Sequence, residues 1–269
     1  MRFGKLIAFA LFISLIGACA NNSINSETSL PHPRPAGFWE NGRAVAQVVH
    51  AFNVTVTDPA TGELGIQTAT VTGSAAVVDA NGLILTNSHV VDASIFLQDG
   101  MLLLLDTYVI CKVTHGKREC ESAEVIAIDK EHDLALLKTE LKFEQAVTFA
   151  PDSELLPGDE VYSWGDISLV PLSPLFGRYI NRLDPVNAED IKLAMRGKEL
   201  AVKLPLLLVD IRVGHGSSGG PIFDSLGRCV GNTSMMTFDS ATGPGPTFGL
   251  IIPSSTVTEF LKKNWPKEK

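Results

Sequence analysis

The chain has 269 residues, of which 45% are hydrophobic and 19% charged, so it can bury a large apolar core and is neither disordered nor fibrous. Its formal net charge of −8 comes without a basic stripe, a zinc knuckle or a basic-aromatic pattern. Nucleic acid is therefore excluded as the expected partner, and an unfolded or cationic polypeptide is easier to accommodate.

At the N-terminus, Arg2 and Lys5 precede the apolar run Leu6–Ile16, and Gly17-Ala18 leads into Cys19. This is the layout of an export signal, with an apolar run too short for a permanent membrane span. Ile16-Gly17-Ala18-Cys19 resembles a bacterial lipobox, in which the cysteine becomes the acylated first residue of the mature protein. Ala18-Cys19-Ala20 also fits ordinary signal cleavage; the lipobox is preferred because a cysteine is otherwise an odd choice there. Residues 1–18 then form a signal peptide, and 19–37, polar and proline-punctuated, tether a lipidated Cys19 to a folded domain. The expected location is the cell envelope. Ala20 lacks the aspartate associated with inner-membrane retention, which points to the outer membrane in a Gram-negative source.

From Phe38-Trp39 onward, short β-branched runs alternate with turn signals: AVAQVVHAFNVTV, ATVTGSAAVVDANGLILTNSHVV and AEVIAIDKEHDLALLK. Asp79-Ala80-Asn81-Gly82 marks a hairpin between two of these strands. In an exported chain, Cys111 and Cys120 flank a turn at His115-Gly116-Lys117, which predicts a disulfide clasping a β-hairpin and worth about 2–3 kcal/mol. After Pro157-Gly158 a second series follows: EVYSWG, FGRYINRL, LPLLLVDI, GGPIFD, GRCVGNTSMM and TFGLIIP. Cys229, in the fifth of these, is expected to be buried and unpaired. The many short strands predict an all-β fold of barrels or sandwiches. Two helices interrupt it: Ala188–Leu200 in a surface insertion, and a closing helix that starts with a serine cap at Pro253-Ser254-Ser255 and turns Val257, Phe260 and Leu261 inward.

VGHGSSGGPIFD, residues 213–224, is where chemistry concentrates. Gly216-Ser217-Ser218-Gly219-Gly220 satisfies both the G-x-S-x-G elbow of α/β-hydrolases and the G-x-S-G-G-P loop of chymotrypsin-fold proteases. Under either, Ser218 is the nucleophile and Ser217 is not, because His215 stands where the first glycine would be needed for Ser217. A serine hydroxyl needs a base and an orienting carboxylate. The six histidines, His32, His50, His89, His115, His132 and His215, all precede Ser218, so the Ser…Asp…His order of an α/β-hydrolase is impossible. His89, at the end of the run Leu83–Ser88, is the candidate base, and Asp133, opening the apolar strand Leu134–Lys138, is the candidate carboxylate. His132 is expected at the surface, and His215 is too close to Ser218 in the loop to act as its base.

GSAAVVDANGLILTNSHVV, HDLALLK, GSSGGPIFD and FGLIIPSSTVTEFL together resemble successive blocks of the trypsin-like serine proteases, most closely the HtrA/Deg branch. The resemblance runs from about Gly73 to Leu261. It implies a double six-stranded β-barrel of the chymotrypsin fold over 38–269: barrel 1 about 38–150, barrel 2 about 151–253 and a C-terminal helix 254–264. It also implies a serine endopeptidase with His89, Asp133 and Ser218 as triad, an oxyanion hole built from Gly216, Ser217 and Ser218, and Ser234 supporting the aspartate. No metal or cofactor is expected. The catalytic spacings are longer than in compact members of the branch, which places insertions at about 97–122 and 174–203.

Two positions depart from the digestive relatives. Ser217 replaces the aspartate that pairs with a newly cut N-terminus, and Arg212 stands where a Lys/Arg-specific pocket carries an acid. With His215 able to touch substrate, Met235, Met236 and Phe248 predict an apolar pocket. No stretch resembling a PDZ module follows the protease-like blocks, so capture of substrate C-termini by that module is not expected. Phe38-Trp39 is a candidate contact for a homotrimer of the kind common in this branch. The alternatives are a catalytically silent fold that binds a protein partner, and an esterase.

Overall fold

The β-branched runs pair into two closed barrels of six strands each, seen here in a computed structural model. The structure describes residues 35, 37–57, 61–98, 100–114, 117–167, 170–185, 203, 205–236 and 248–267, all within one unit spanning Arg34–Lys269. The signal segment, Cys19, the tether to residue 34, the Ala188–Leu200 helix and the Met236 side chain lie outside the described residues.

A short helix α1 (Phe38–Asn41) leads into barrel 1, made of β1 (Val45–Thr57), β2 (Leu64–Asp79), β3 (Leu83–Thr86), β4 (Leu103–Thr114), β5 (Lys117–Asp129) and β6 (Leu134–Thr139). The neighbour order is β1-β2-β3-β6-β5-β4, closed by β4 pairing with β1, and a one-turn helix α2 (Ser88–Val91) follows β3. Barrel 2 comprises β7 (Glu160–Ile167), β8 (Val170–Leu183), β9 (Leu206–Val209), β10 (Pro221–Asp224), β11 (Cys229–Met236) and β12 (Gly249–Pro253), before helix α3 (Ser254–Asn264). Its order is β10-β11-β12-β9-β8-β7, closed by β7 pairing with β10. All pairings within both barrels are antiparallel, and β2–β3 and β10–β11 are joined by short turns. At the β2–β3 turn, Gly82 has φ 96°, and a Cβ there would lie 2.2 Å from the Thr139 carbonyl oxygen. Only glycine fits.

Several strands read as unbroken apolar runs because both of their faces are buried. Ile84 and Leu137 fill barrel 1, whereas Leu83, Leu85, Leu134 and Leu136 face a core shared with barrel 2 and α3. Ile222 and Ile251 likewise fill barrel 2 while Phe223, Leu250 and Ile252 join the shared core. Val257, Phe260 and Leu261 of α3 seal that core. The two barrels are thereby held against each other by continuous apolar packing.

Three expectations change in detail. The α3 cap is an aspartate from elsewhere: Asp152 accepts the Ser255 N–H at 2.7 Å and the Ser254 hydroxyl at 3.1 Å, while Ser254 sits inside the first turn. Phe38, expected as an oligomer contact, is buried against the rings of Tyr162, Trp164 and Phe176, and the Trp164 indole N–H donates to its carbonyl at 2.9 Å. Trp39 beside it is 58% exposed. Most of the 97–122 insertion, and 174–183 of the other, are barrel strand: β4 and β5 run unbroken to the Cys111–Cys120 disulfide, which links a directly opposed pair, and β8 extends to Leu183. Cys229 is a buried free thiol whose pKa burial pushes up to about 12, which makes it inert.

Candidate active site

Strand β3 ends at Thr86, and α2 carries His89 over the seam between the barrels. Asp133, just before β6, adopts φ 56°, a left-handed conformation that aspartate tolerates better than most residues, and is 4% exposed. Its carboxylate is surrounded by donors. Oδ1 accepts the Ser88 hydroxyl (2.9 Å) and the His89 backbone N–H (3.0 Å), and Oδ2 accepts the Ser234 hydroxyl (2.6 Å). The His89 Nδ1 lies 3.0 Å from Oδ1 and 2.9 Å from Oδ2. Burial alone raises the Asp133 pKa, but the His89 ring, Ser234 and the His89 N–H outweigh it and hold the carboxyl below the usual carboxylate range. The Asp133 carbonyl in turn accepts the Asn87 amide at 2.9 Å. A carboxylate so held keeps the proton on Nδ1 and leaves Nε2 free to act as a base.

Ser218 comes from barrel 2, on the turn before β10. Its neighbour Gly219 (φ 85°) donates to Thr233 O at 2.7 Å, and the Asn232 amide donates to Gly219 O at 2.9 Å. A Cβ on Gly219 would meet Ser74 O and Thr86 Oγ1 at 2.3 Å each, so the glycine lets the loop press onto barrel 1. Ser74 fastens this contact: its N–H donates to Ser218 O at 2.8 Å and its hydroxyl to Gly216 O at 2.7 Å. The Ser218 hydroxyl itself donates to Ser234 O at 3.4 Å, and among the described residues it makes no hydrogen bond to His89. Ser234 therefore touches both halves of the site, with its hydroxyl on Asp133 and its carbonyl on Ser218.

Gly214–Ser217 forms a turn closed by the Ser217 N–H on Gly214 O at 3.1 Å, with Gly216 in its third position at φ 98°, as a type II turn demands. The Gly216 and Ser218 N–H groups donate to no group among the described residues. Of the three residues expected to build an oxyanion hole, Ser217 is the exception: its N–H and hydroxyl are both engaged with Gly214. Its role is to close the turn.

The remaining candidates scatter. Arg212 and His215 are exposed, Phe248 is half-buried, and Met235 packs against the shared core. His132 bonds Asp129 at 2.7 Å, away from Asp133. Sequence reasoning missed Ser74 and Ser88, single serines in runs with no motif of their own, although the adjacency of Ser88 to His89 was a usable signal. Among the described residues no cluster could hold a metal ion, and no helix is long and apolar enough to cross a membrane.

Residues 73–231 match the family of the trypsin-like peptidase domain. The probable periplasmic serine endoprotease DegP-like of Hahella chejuensis is 30% identical over 188 residues, 70% of this chain and 34% of that protein. Serine protease HTRA1 of Xenopus tropicalis is 29% identical over 198 residues, 71% of this chain and 36% of that protein. The chain thus spans about a third of the curated relatives it matches. Among solved structures, the HtrA-type protease AlgW with decapeptide has a TM-score of 0.60 at 21% identity, covering 84% of this chain and 66% of that one. The crystal structure of Deg5 has a TM-score of 0.56 at 21% identity, covering 82% and 88%. At these identities the structural likeness shows a shared fold.

Proposed function

The chain belongs to the family of trypsin-like peptidases, and from that premise we propose that it is a serine endopeptidase of the HtrA branch, acting on unfolded or specific proteins in the bacterial cell envelope. The observation that carries the reading is the grip on Asp133, whose carboxylate takes bonds from His89 and Ser234 while the Ser234 carbonyl takes the Ser218 hydroxyl. In the reaction, the Ser218 hydroxyl turns from Ser234 O to His89, which removes its proton as the oxygen attacks the scissile carbonyl. The Gly216 and Ser218 N–H groups, open in this loop, donate to the developing oxyanion, and removing such a donor in other sites costs about 3 kcal/mol. His89 then protonates the leaving amine, and water releases the acyl group by the reverse sequence. Arg212, exposed and cationic where a basic-specific pocket carries an acid, argues against a basic preference at the cleaved residue.

A second reading, a silent fold that binds a protein partner, is favoured by one feature: the Ser218 hydroxyl points to Ser234 O and not to His89. A fluorophosphonate probe with unfolded casein separates the two. The protease labels at Ser218 and cleaves casein, and Ser218→Ala abolishes both; a silent fold does neither. Labelling without proteolysis would identify an esterase.

A further inference from the structure

His50 has no part in the chemistry above, yet among the described residues it is the most deeply buried histidine. It lies on β1 on the inward face that also carries Val48, Phe52 and Val54, and its side chain is 0% exposed. A polar ring in such a place costs stability unless both nitrogens find partners. Both do. Nδ1 faces Val90 O at 2.9 Å, and because a carbonyl can only accept, Nδ1 carries a proton. Nε2 meets the Asp106 carboxylate from β4 in a close contact. The Tyr108 hydroxyl, two residues along β4, shares its one proton between the other Asp106 oxygen at 2.5 Å and Val91 O at 3.1 Å, and its ring stacks on His50 with centroids 4.7 Å apart. Burial first, then the bond to Asp106, raises the Tyr108 pKa, so the hydroxyl keeps its proton at neutral pH.

Val90 and Val91 are the residues that follow His89, and α2 is only Ser88–Val91. So short a helix has almost no hydrogen bonds of its own and cannot hold its shape unaided. Its N-terminal end is tied through Ser88 and the His89 N–H to Asp133. Its C-terminal carbonyls are tied through His50 and Tyr108 to β1 and β4. We propose that His50, braced by Asp106 and Tyr108, is a positioning residue that clamps the C-terminal end of the α2 turn and so fixes the imidazole of His89 over the cleft.

The proposal rests on the reading of His89 as general base, and its test has one readout that needs no turnover: the low-field proton resonance of the His89–Asp133 hydrogen bond. In His50→Leu this signal moves or broadens, and kcat falls roughly 10- to 100-fold with KM changed less than about twofold, as expected when a catalytic group shifts by a fraction of an ångström to one ångström. His50→Asn, whose amide nitrogen occupies the place of Nδ1 and still donates to Val90 O, restores the signal and most of the turnover. Tyr108→Phe keeps the stacked ring, removes only the hydroxyl and shifts both readouts in the same direction by less; it decides the matter if His50→Leu does not fold. An unmoved signal and unchanged kcat in folded His50→Leu or Tyr108→Phe overturns the proposal, as does an Asn variant no better than the Leu one. Should the wild type fail to label at Ser218, the protease reading falls, while the proton signal still decides whether His50 positions His89.

Discussion

Asp133 is asked to remain ionised in a nearly dry place, and the donors around it determine how well it does so. Its folded pKa lies below the ordinary carboxylate value, so the stability this provides is present above that ordinary value and is lost as pH falls through the lowered one. Ser234→Ala removes the 2.6 Å donor on Oδ2. It should cost about 1–2 kcal/mol at neutral pH and move the acid-unfolding midpoint, followed by circular dichroism, to higher pH. Asp133→Asn leaves the fold nearly intact but no longer fixes the Nδ1 proton, and kcat should fall by about 10⁴-fold in a peptide assay. The candidate triad could be singled out in the sequence because its order, His before Asp before Ser, fits one fold and excludes another. The residues that hold it, Ser74, Ser88 and the His50 cluster, could not. They act on backbone carbonyls or on a carboxylate far along the chain, and such contacts leave no spacing to read.

Among the elements, the β4–β5 hairpin shows how one cross-link is placed. Cys111 and Cys120 face each other in register with Cα atoms 4.1 Å apart, closing a loop of sequence separation 9. Reduction, or the Cys111→Ser/Cys120→Ser pair, should lower stability by about 2–3 kcal/mol and Tm by roughly 5–10 °C in calorimetry, leaving peptide cleavage by the folded enzyme unchanged. The strands were readable where both faces are buried and the apolar run is unbroken, as in β3, β6 and β12. The α3 cap was misread because the capping aspartate, Asp152, is about a hundred residues away and local serines mimic the signal. The same logic explains Phe38, whose place beside an exposed Trp39 hid a role in sealing the core.

At the scale of the whole molecule, both six-stranded barrels close on themselves, so among the described residues neither sheet is left with an open edge strand. The proposed lipid anchor at Cys19 belongs to this scale. Palmitate should be incorporated by the full-length chain and not by Cys19→Ser, which should move from the membrane fraction to the soluble one; labelling that survives the substitution would remove the anchor. The hydrogen bonds from Ser74 to Ser218 O and Gly216 O span the seam between barrels. Those two bonds work as an interlock. The Gly216–Ser218 loop is assembled on a surface belonging to the other barrel, so the proposed catalytic centre would be a property of the docked pair and exist in neither half. In a chain with each barrel formed but the pair not yet docked, that loop would lack its support, and the proposed protease would stay silent until docking is complete.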